Sequence, residues 1–178
     1  MPKVVIGIPC FNEDQYIAGT LLSAIQQLDE YTDLEIWISD NKSTDNSVSK
    51  VEAVLEAVKS AVNHVTLVEQ EGMSASDNFW YLFDATDSEL FMWLGGHDQI
   101  SKGYIQRGVT HITQSSDTGL FCGAHKGLTV DGNLFDQEVV YDFSQDNPVE
   151  RYLQSIANLN NCYVFHSLFR RKNLMNFD

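Results

Sequence analysis

The 178-residue sequence predicts an α/β fold, a mostly parallel central sheet with helices on both faces. Two observations and one rule of chain connection predict it. Over residues 1–100, short apolar runs alternate with longer segments whose apolar residues recur at helical spacing. Right-handed crossovers between successive parallel strands place such helices on both faces of one sheet. No repeat, low-complexity stretch or linker rich in Pro, Gly or Ser interrupts the pattern.

Val4 to Ile8 is a short buried strand, expected to end at Pro9. Tyr16, Ile17, Leu21, Leu22, Ile25 and Leu28 then fall on one helical face. Leu34 to Ser39 is a second strand, followed by a helix marked by Val48, Val51, Val54, Leu55, Val58 and Val62, with Asp45 or Asn46 as its N-cap. Val65 to Val68 is the third strand and Ser74 to Ala85 the third helix. Leu90 to Leu94 is the fourth strand, stopped by Gly95-Gly96. Beyond it the pattern is less regular. Gly103 to Thr113 reads as helix, Gly119 to Ala124 as strand, Val130 to Asn133 as a hairpin turn, Val139 to Phe143 as strand, and Pro148 to Leu159 as a helix with Pro in its first turn. Trp80, Trp93 and the phenylalanines read as core, and Trp37 as packing beneath a helix.

Composition narrows the class. The chain is long enough for one domain with a sizeable core, and its 43% hydrophobic and 20% charged residues are ordinary for a globular protein. No run approaches the roughly 20 apolar residues of a membrane span. The apolar start is too short for a signal-peptide core, so a cytoplasmic protein is expected, peripheral at most to the inner face of a membrane. Cys10, Cys122 and Cys162 form no CxxC pair and read as separate thiols. The net charge of −14 repels a phosphate backbone, so nucleic acid is not an expected partner. A chain this acidic also needs a local basic patch or a divalent cation to hold a diphosphate. Its basic cluster is Arg170-Arg171-Lys172, which reads either as steering an anion or as a solvated helix start.

In parallel sheets ligands bind at the carboxyl ends of the strands, so the residues just after each strand carry the functional signal. They are Pro9 to Asp14, Asp40 to Asp45, Glu69 to Ser74 and Gly95 to Gln99, each with at least one carboxylate or amide. No GxGxxG follows the first strand and no GxxxxGK[ST] occurs, which removes dinucleotide-binding and P-loop readings. The acidic residues stand in the wrong places for a phospho-acceptor receiver. Taken alone, Asp98 after two glycines is a turn former. Its place after a fully apolar strand, beside His97, makes both candidate ligands of a divalent metal. Imidazole with carboxylate suits Mn, whereas Mg would lean on Asp98, phosphates and water. Asp40 reads equally as an acceptor for a nucleobase or ribose and as the anchor of a tight turn.

Four segments in register carry a resemblance. "IGIPCFNED", "EIWISDNKSTDNS", "EQEGMSASDN" and "LFMWLGGHDQI" resemble the family 2 glycosyltransferases of GT-A fold: the first strand with its Pro-x-x-Asn-Glu loop, the second strand with its Ser-Thr-Asp turn, the Gly-x-Ser-x-x-x-Asn helix start, and the strand leading to a DxD-type metal site. The resemblance implies inverting transfer of a sugar from a UDP-sugar or other nucleotide-diphospho-sugar, with a divalent metal, Mn or Mg, to a glycan or lipid-linked acceptor. A bacterial surface polysaccharide is the acceptor that family habit suggests. By that match Pro9, Asn12, Glu13, Asp40, Asn41, Gly72, Ser76 and His97 are the nucleotide-binding candidates, Asp98 and His97 the metal ligands, and Asn78 a brace for its loop. Residues 1–100 would be the nucleotide-sugar-binding half and 101–178 the start of the acceptor side, within one structural domain.

The sequence departs from the family pattern in places. Gly95 and His97 stand where many members are acidic, Asp77 where many have Arg, and Asn41 replaces a common second Asp. The family's catalytic base follows a segment like "NCYVFHSLFRRKNL", so the expectation is a truncated chain that stops short of it. Asp136, Glu138 and Asp142 are the in-chain candidates, read more plainly as solvated carboxylates. A homodimer is left open. Two rivals remain: a non-catalytic sugar-nucleotide-binding module, and a nucleotidyltransferase, which would want a Gly-rich basic loop where "PCFNED" stands.

Overall fold

The computed structural model describes residues 1–128, 131, 133–139, 144–158 and 163–175. Five helices and eight strands are described: β1 (Val4–Cys10), α1 (Ile17–Ile25), β2 (Leu34–Asp40), α2 (Ser47–Ala57), β3 (Val65–Glu69), α3 (Ala75–Asp84), β4 (Leu90–Trp93), α4 (Tyr104–Thr113), β5 (Leu120–Phe121), β6 (His125–Leu128), β7 (Leu134–Val139), α5 (Pro148–Asn158) and β8 (Leu168–Arg170). They divide into two compact units, Met1–Phe121 with Leu168–Asp178, and Cys122–Ser167.

The first unit is a six-stranded sheet in the order β3-β2-β1-β4-β8-β5. The pairs β1–β2, β1–β4 and β2–β3 are parallel; β8 runs antiparallel to both β4 and β5. The expected α/β fold with a mostly parallel sheet is therefore present. The chain winds outward from β1 to β3, then crosses back to set β4 on the other side of β1. The strand order reverses at β1/β4, the position where such sheets open a crevice at their carboxyl ends.

Side chains of β1 alternate between two cores, as a period of two demands. Val4, Ile6 and Ile8 pack with Ile17, Leu21, Ile36 and Ile38 on one face. Val5 joins Leu82, Phe83, Phe91 and Trp93 on the other. Gly7 shares that second face because a Cβ there would lie 2.9 Å from Phe91 Cζ and 3.1 Å from Leu82 Cβ. Each fully buried aliphatic or aromatic side chain of this kind contributes roughly 1.5–3 kcal/mol.

The structure corrects the strand and core readings in several places. Pro9 does not end β1, which continues through Cys10. Gly7 O accepts from Leu94 N–H and Cys10 O from Asn41 N–H, so alternation turns the Pro9 nitrogen toward β4, which has already stopped at Trp93. Its missing N–H costs no ladder bond. The strand expected over 119–124 is reduced to Leu120–Phe121, because β8 offers it only Phe169 and Leu168. Trp93 is buried, but Trp80 is 45% exposed and Phe11 57%. Trp80 meets Phe83 and Trp93 edge-on from the rim of the second core.

In the second unit β6 and β7 pair antiparallel, and α5 begins at Pro148 as expected. Val130 and Gly132 of the expected turn, residues 140–143 of the expected strand including Asp142, Leu159 and Cys162 lie outside the described residues. The described strand there is β7, which ends at Val139.

Candidate functional site

The loops after β1 and β2 are sewn together by their own polar side chains. Asp40 is 2% exposed, and its carboxylate accepts from Ser43 N–H at 2.9 Å and Ser43 Oγ at 2.6 Å. Ser43 Oγ in turn accepts from Asn12 N–H at 2.8 Å, and Asn12 Oδ1 accepts from Thr44 N–H at 2.9 Å. Asn12 adopts φ 55°, which its short amide tolerates. Asp45 accepts from Asp14 N–H at 3.0 Å and from Ser47 N–H at 2.9 Å, so it, rather than the N-cap residue Asn46, satisfies the start of α2.

A second brace joins the ends of β2 and β3. The Asn41 amide donates to Met73 O and accepts from Met73 N–H, both at 2.8 Å. Behind it, Asn78 donates to Ser39 O at 3.1 Å and accepts from Ser39 Oγ at 2.6 Å, which ties α3 to the end of β2.

Between these loops and the end of β4 lies a pocket of about 680 Å³, within the range of small-molecule sites. Of the sequence-predicted residues, Pro9, Glu13, Asn41, Gly72, Asn78 and His97 line it. Asn12 and Asp40 lie outside the lining, holding the loops, while Ser76 is exposed on the first turn of α3. Asp98 follows the lining residue His97 in a turn closed by its own N–H on Gly95 O at 2.9 Å.

Sequence reasoning missed Phe11, Lys42, Met73 and Phe79, which also line the pocket. Phe11 had a readable signal. An aromatic in a polar strand-end loop has no core to enter, and its exposed ring at a pocket rim is a stacking surface. The other three are brought in by the packing of the β2 and β3 loops against α3.

At the β1/β4 switch, His97 Nδ1 is 2.9 Å from Glu13 Oε1, across 84 positions of sequence. Gly96 makes this possible, because a Cβ there would stand 2.9 Å from Glu13 Cγ and 3.1 Å from Pro9 O. Thr20 Oγ1 fixes the same turn by donating to Gly96 O at 2.8 Å. The partner of His97 is thus a carboxylate from the β1 loop. The Glu13 hydrogen bond raises the His97 pKa above its ordinary 6.5, against an opposing effect of burial. The sign follows: the pair's stabilisation is complete below about pH 6.5, where even the unfolded imidazole is protonated, and is lost as pH rises through the higher folded value. An NMR titration should place the His97 midpoint above 6.5, and Glu13→Gln should return it toward that value. Identical midpoints in the two proteins would refute the pairing. Cys10, in the pocket lining, is held as a neutral thiol by burial and the nearby Asp40 charge, with its pKa pushed up to about 12.

Two other expectations meet the structure here. The Arg170-Arg171 pair is structural. Arg170 donates to Thr118 O at 2.7 Å and Ile112 O at 2.6 Å, and Arg171 is buried over the Phe83 ring. Neither is a solvated helix start or a steering charge. Among the described residues, no three His, Cys, Asp or Glu side chains converge as a ready-made metal cage. The donor set that remains, Asp98 with the neighbouring imidazole, fits a hard or borderline divalent ion that takes its other ligands from phosphates and water.

The chain resembles solved glycosyltransferases over nearly its whole length. It aligns with the mannosyltransferase PcManGT from Pyrobaculum calidifontis, solved with GDP-Man and Mn2+, at 16% identity and a TM-score of 0.67, covering 98% of this chain and 46% of that one. S. aureus TarS aligns at 17% identity and a TM-score of 0.69, covering 99% of this chain and 30% of that one. TarS 1-349 in complex with UDP-GlcNAc aligns at 16% identity and a TM-score of 0.67, covering 98% and 47%. The chain therefore spans less than half the length of these proteins. No curated protein matches it. These structures share its fold, which is of GT-A type. The Glycosyl transferase family 2 model matches residues 5–176, nearly the full chain, and the chain belongs to that family.

Proposed function

We propose that this chain forms the nucleotide-sugar site of an inverting glycosyltransferase that uses a UDP-sugar and a divalent metal. The observation that carries the reading is the pocket at the β1/β4 switch point, lined by Phe11 and by the Glu13–His97 pair, with Asp98 in the adjoining turn. Family membership supports transfer of a sugar, and similarity to proteins solved with UDP-GlcNAc or with GDP-Man and Mn2+ supports the donor class and the metal.

In this reading the nucleoside lies over the ends of β2 and β3, and the diphosphate points to the β4 turn. Asp98, with His97 beside it, would hold the metal together with the donor's phosphates. Bound there, a divalent ion neutralises charge developing on the leaving diphosphate. The protein's own contribution is position. Pro9 and Gly96 let the donor approach the β1 and β4 backbones, and Phe11 covers one face of the base. The loops braced by Asp40 and Asn12 are rigid before the donor arrives, which lowers the ordering cost of binding. In an inverting transfer the acceptor oxygen attacks the anomeric carbon as the carbon's bond to the diphosphate breaks, and the hydroxyl proton passes to a general base. The acceptor proposed is a glycan or lipid-linked hydroxyl.

The test is a thermal-shift series with UDP, GDP and CTP, each with Mn, Mg or a chelator. UDP with Mn is expected to give the largest rise. At a hundred times Kd, binding stabilises by about 2.7 kcal/mol, which for a chain of this size is a rise of roughly 5–10 °C. Equal shifts with and without metal would favour the non-catalytic binding module. No shift with any nucleotide would overturn the proposal.

A further inference from the structure

The residue expected to read the nucleobase is already engaged, and so is its neighbour. Both Asp40 carboxylate oxygens are held by Ser43, and the Asn41 amide is held on both sides by the Met73 backbone. The next residue, Lys42, is exposed, lines the pocket and has no such engagement in the loop. Its Nζ reaches Glu71 O only at 3.4 Å, the long limit of a hydrogen bond and easily exchanged.

Lys42 also sits at φ 64°, a left-handed conformation that glycine adopts freely and a lysine does not. The turn anchored by Asp40 imposes that φ whatever the side chain. The lysine stem runs beside Gly72 of the neighbouring loop, itself at φ 97°, whose Cβ, if present, would lie 3.4 Å from Lys42 Cδ. A cationic side chain thus occupies the position least suited to it, at the rim of a pocket in a chain of net charge −14. Strained backbone that a glycine would relieve is a pointer to function.

We infer that Lys42 is the nucleobase-reading residue of this site, selecting keto bases, uracil or guanine, over amino bases. The inference rests on the proposed nucleotide-sugar function and its placing of the base over β2 and β3. The chemistry is one-sided. An ammonium offers three donors and no acceptor, so it donates to a carbonyl edge and opposes an exocyclic amine. UDP and CDP differ at that edge and share everything else that could touch Lys42.

The experiment is titration calorimetry of UDP, GDP, CDP and ADP with Mn against the wild-type chain, Lys42→Met and Lys42→Gly. Wild type is expected to prefer UDP over CDP by about tenfold, the effect of one hydrogen bond from a charged donor. Both variants are expected to lose that preference. Lys42→Gly should in addition raise the melting midpoint of the free protein, since it removes the left-handed strain. That shows the variant is folded and separates stability from recognition. A UDP preference that survives in both variants, or is absent from wild type, overturns the inference while leaving the nucleotide site in place. Failure of every nucleotide to bind overturns the proposed function and this inference with it.

Discussion

Asp98→Ala is expected to abolish the metal-dependent part of the nucleotide thermal shift while leaving the free protein's melting midpoint nearly unchanged. The turn carrying Asp98 is closed by its backbone N–H on Gly95 O and fixed by Thr20 on Gly96 O, so it survives loss of the side chain. Asp98 is half-buried rather than core, so the variant is expected to fold and its own midpoint without ligand is the reference for the shift. What is lost is the carboxylate in the remaining donor set. Without it, a diphosphate enters a chain of net charge −14 with only His97 to hold the screening cation. The shift with UDP and Mn should fall to that seen with UDP and chelator. Asp98→Asn should behave like the alanine variant, because an amide keeps the size and loses the charge. A metal-dependent shift of undiminished size in Asp98→Ala would remove Asp98 from the site and move the search to the Glu13–His97 pair.

Arg171→Ala is expected to destabilise the fold by about 3 kcal/mol, through the lost cation–π contact, the hydrogen bonds and the cavity left behind. Arg171 is 8% exposed, with its guanidinium carbon 4.0 Å above the centre of the Phe83 ring. It donates to Phe83 O and to Thr86 Oγ1, and its backbone N–H donates to Glu89 O at 3.0 Å. The residue after β8 is thereby fastened to the end of α3 and the start of β4. Removing the side chain leaves Phe83 O with only the long 3.3 Å bond from Thr86 Oγ1 and uncovers the Phe83, Phe91 and Trp93 cluster. Arg171→Lys should recover only part of the loss, since an ammonium cannot fork to two acceptors while stacking on a ring. Urea denaturation checks it: the midpoint should drop with the slope unchanged. A loss below about 1 kcal/mol would mean the guanidinium is no more than a surface charge.

Most of the sheet was legible because its signals are local. Apolar alternation in Val4–Cys10 and helical spacing in Ile17–Ile25 depend on neighbours a few positions away, and the elements appear where that spacing places them. Where the reading slipped, a distant partner decided. Pro9 remains in β1 because β4 stops short beside it, and the strand expected at 119–124 shrinks because β8 is short. Trp80 is half exposed although its spacing reads as core, because Trp93 and Phe83 already fill the space beneath it.

By itself the sequence determined the order of strands and helices, the strand-end loops that make the pocket, and the family. Only the tertiary structure decided what each polar residue in those loops does. Asp40, Asn12 and Asn41 hold loops together; Glu13 meets His97 across 84 positions; Lys42 is left facing the pocket; Arg170 and Arg171 are fastened inside. The physical reason is the range of the interactions. Backbone periodicity is set within a turn or a few residues, whereas a carboxylate's partner is whichever donor the crossovers and strand register bring within 3 Å, and no local pattern encodes that distance.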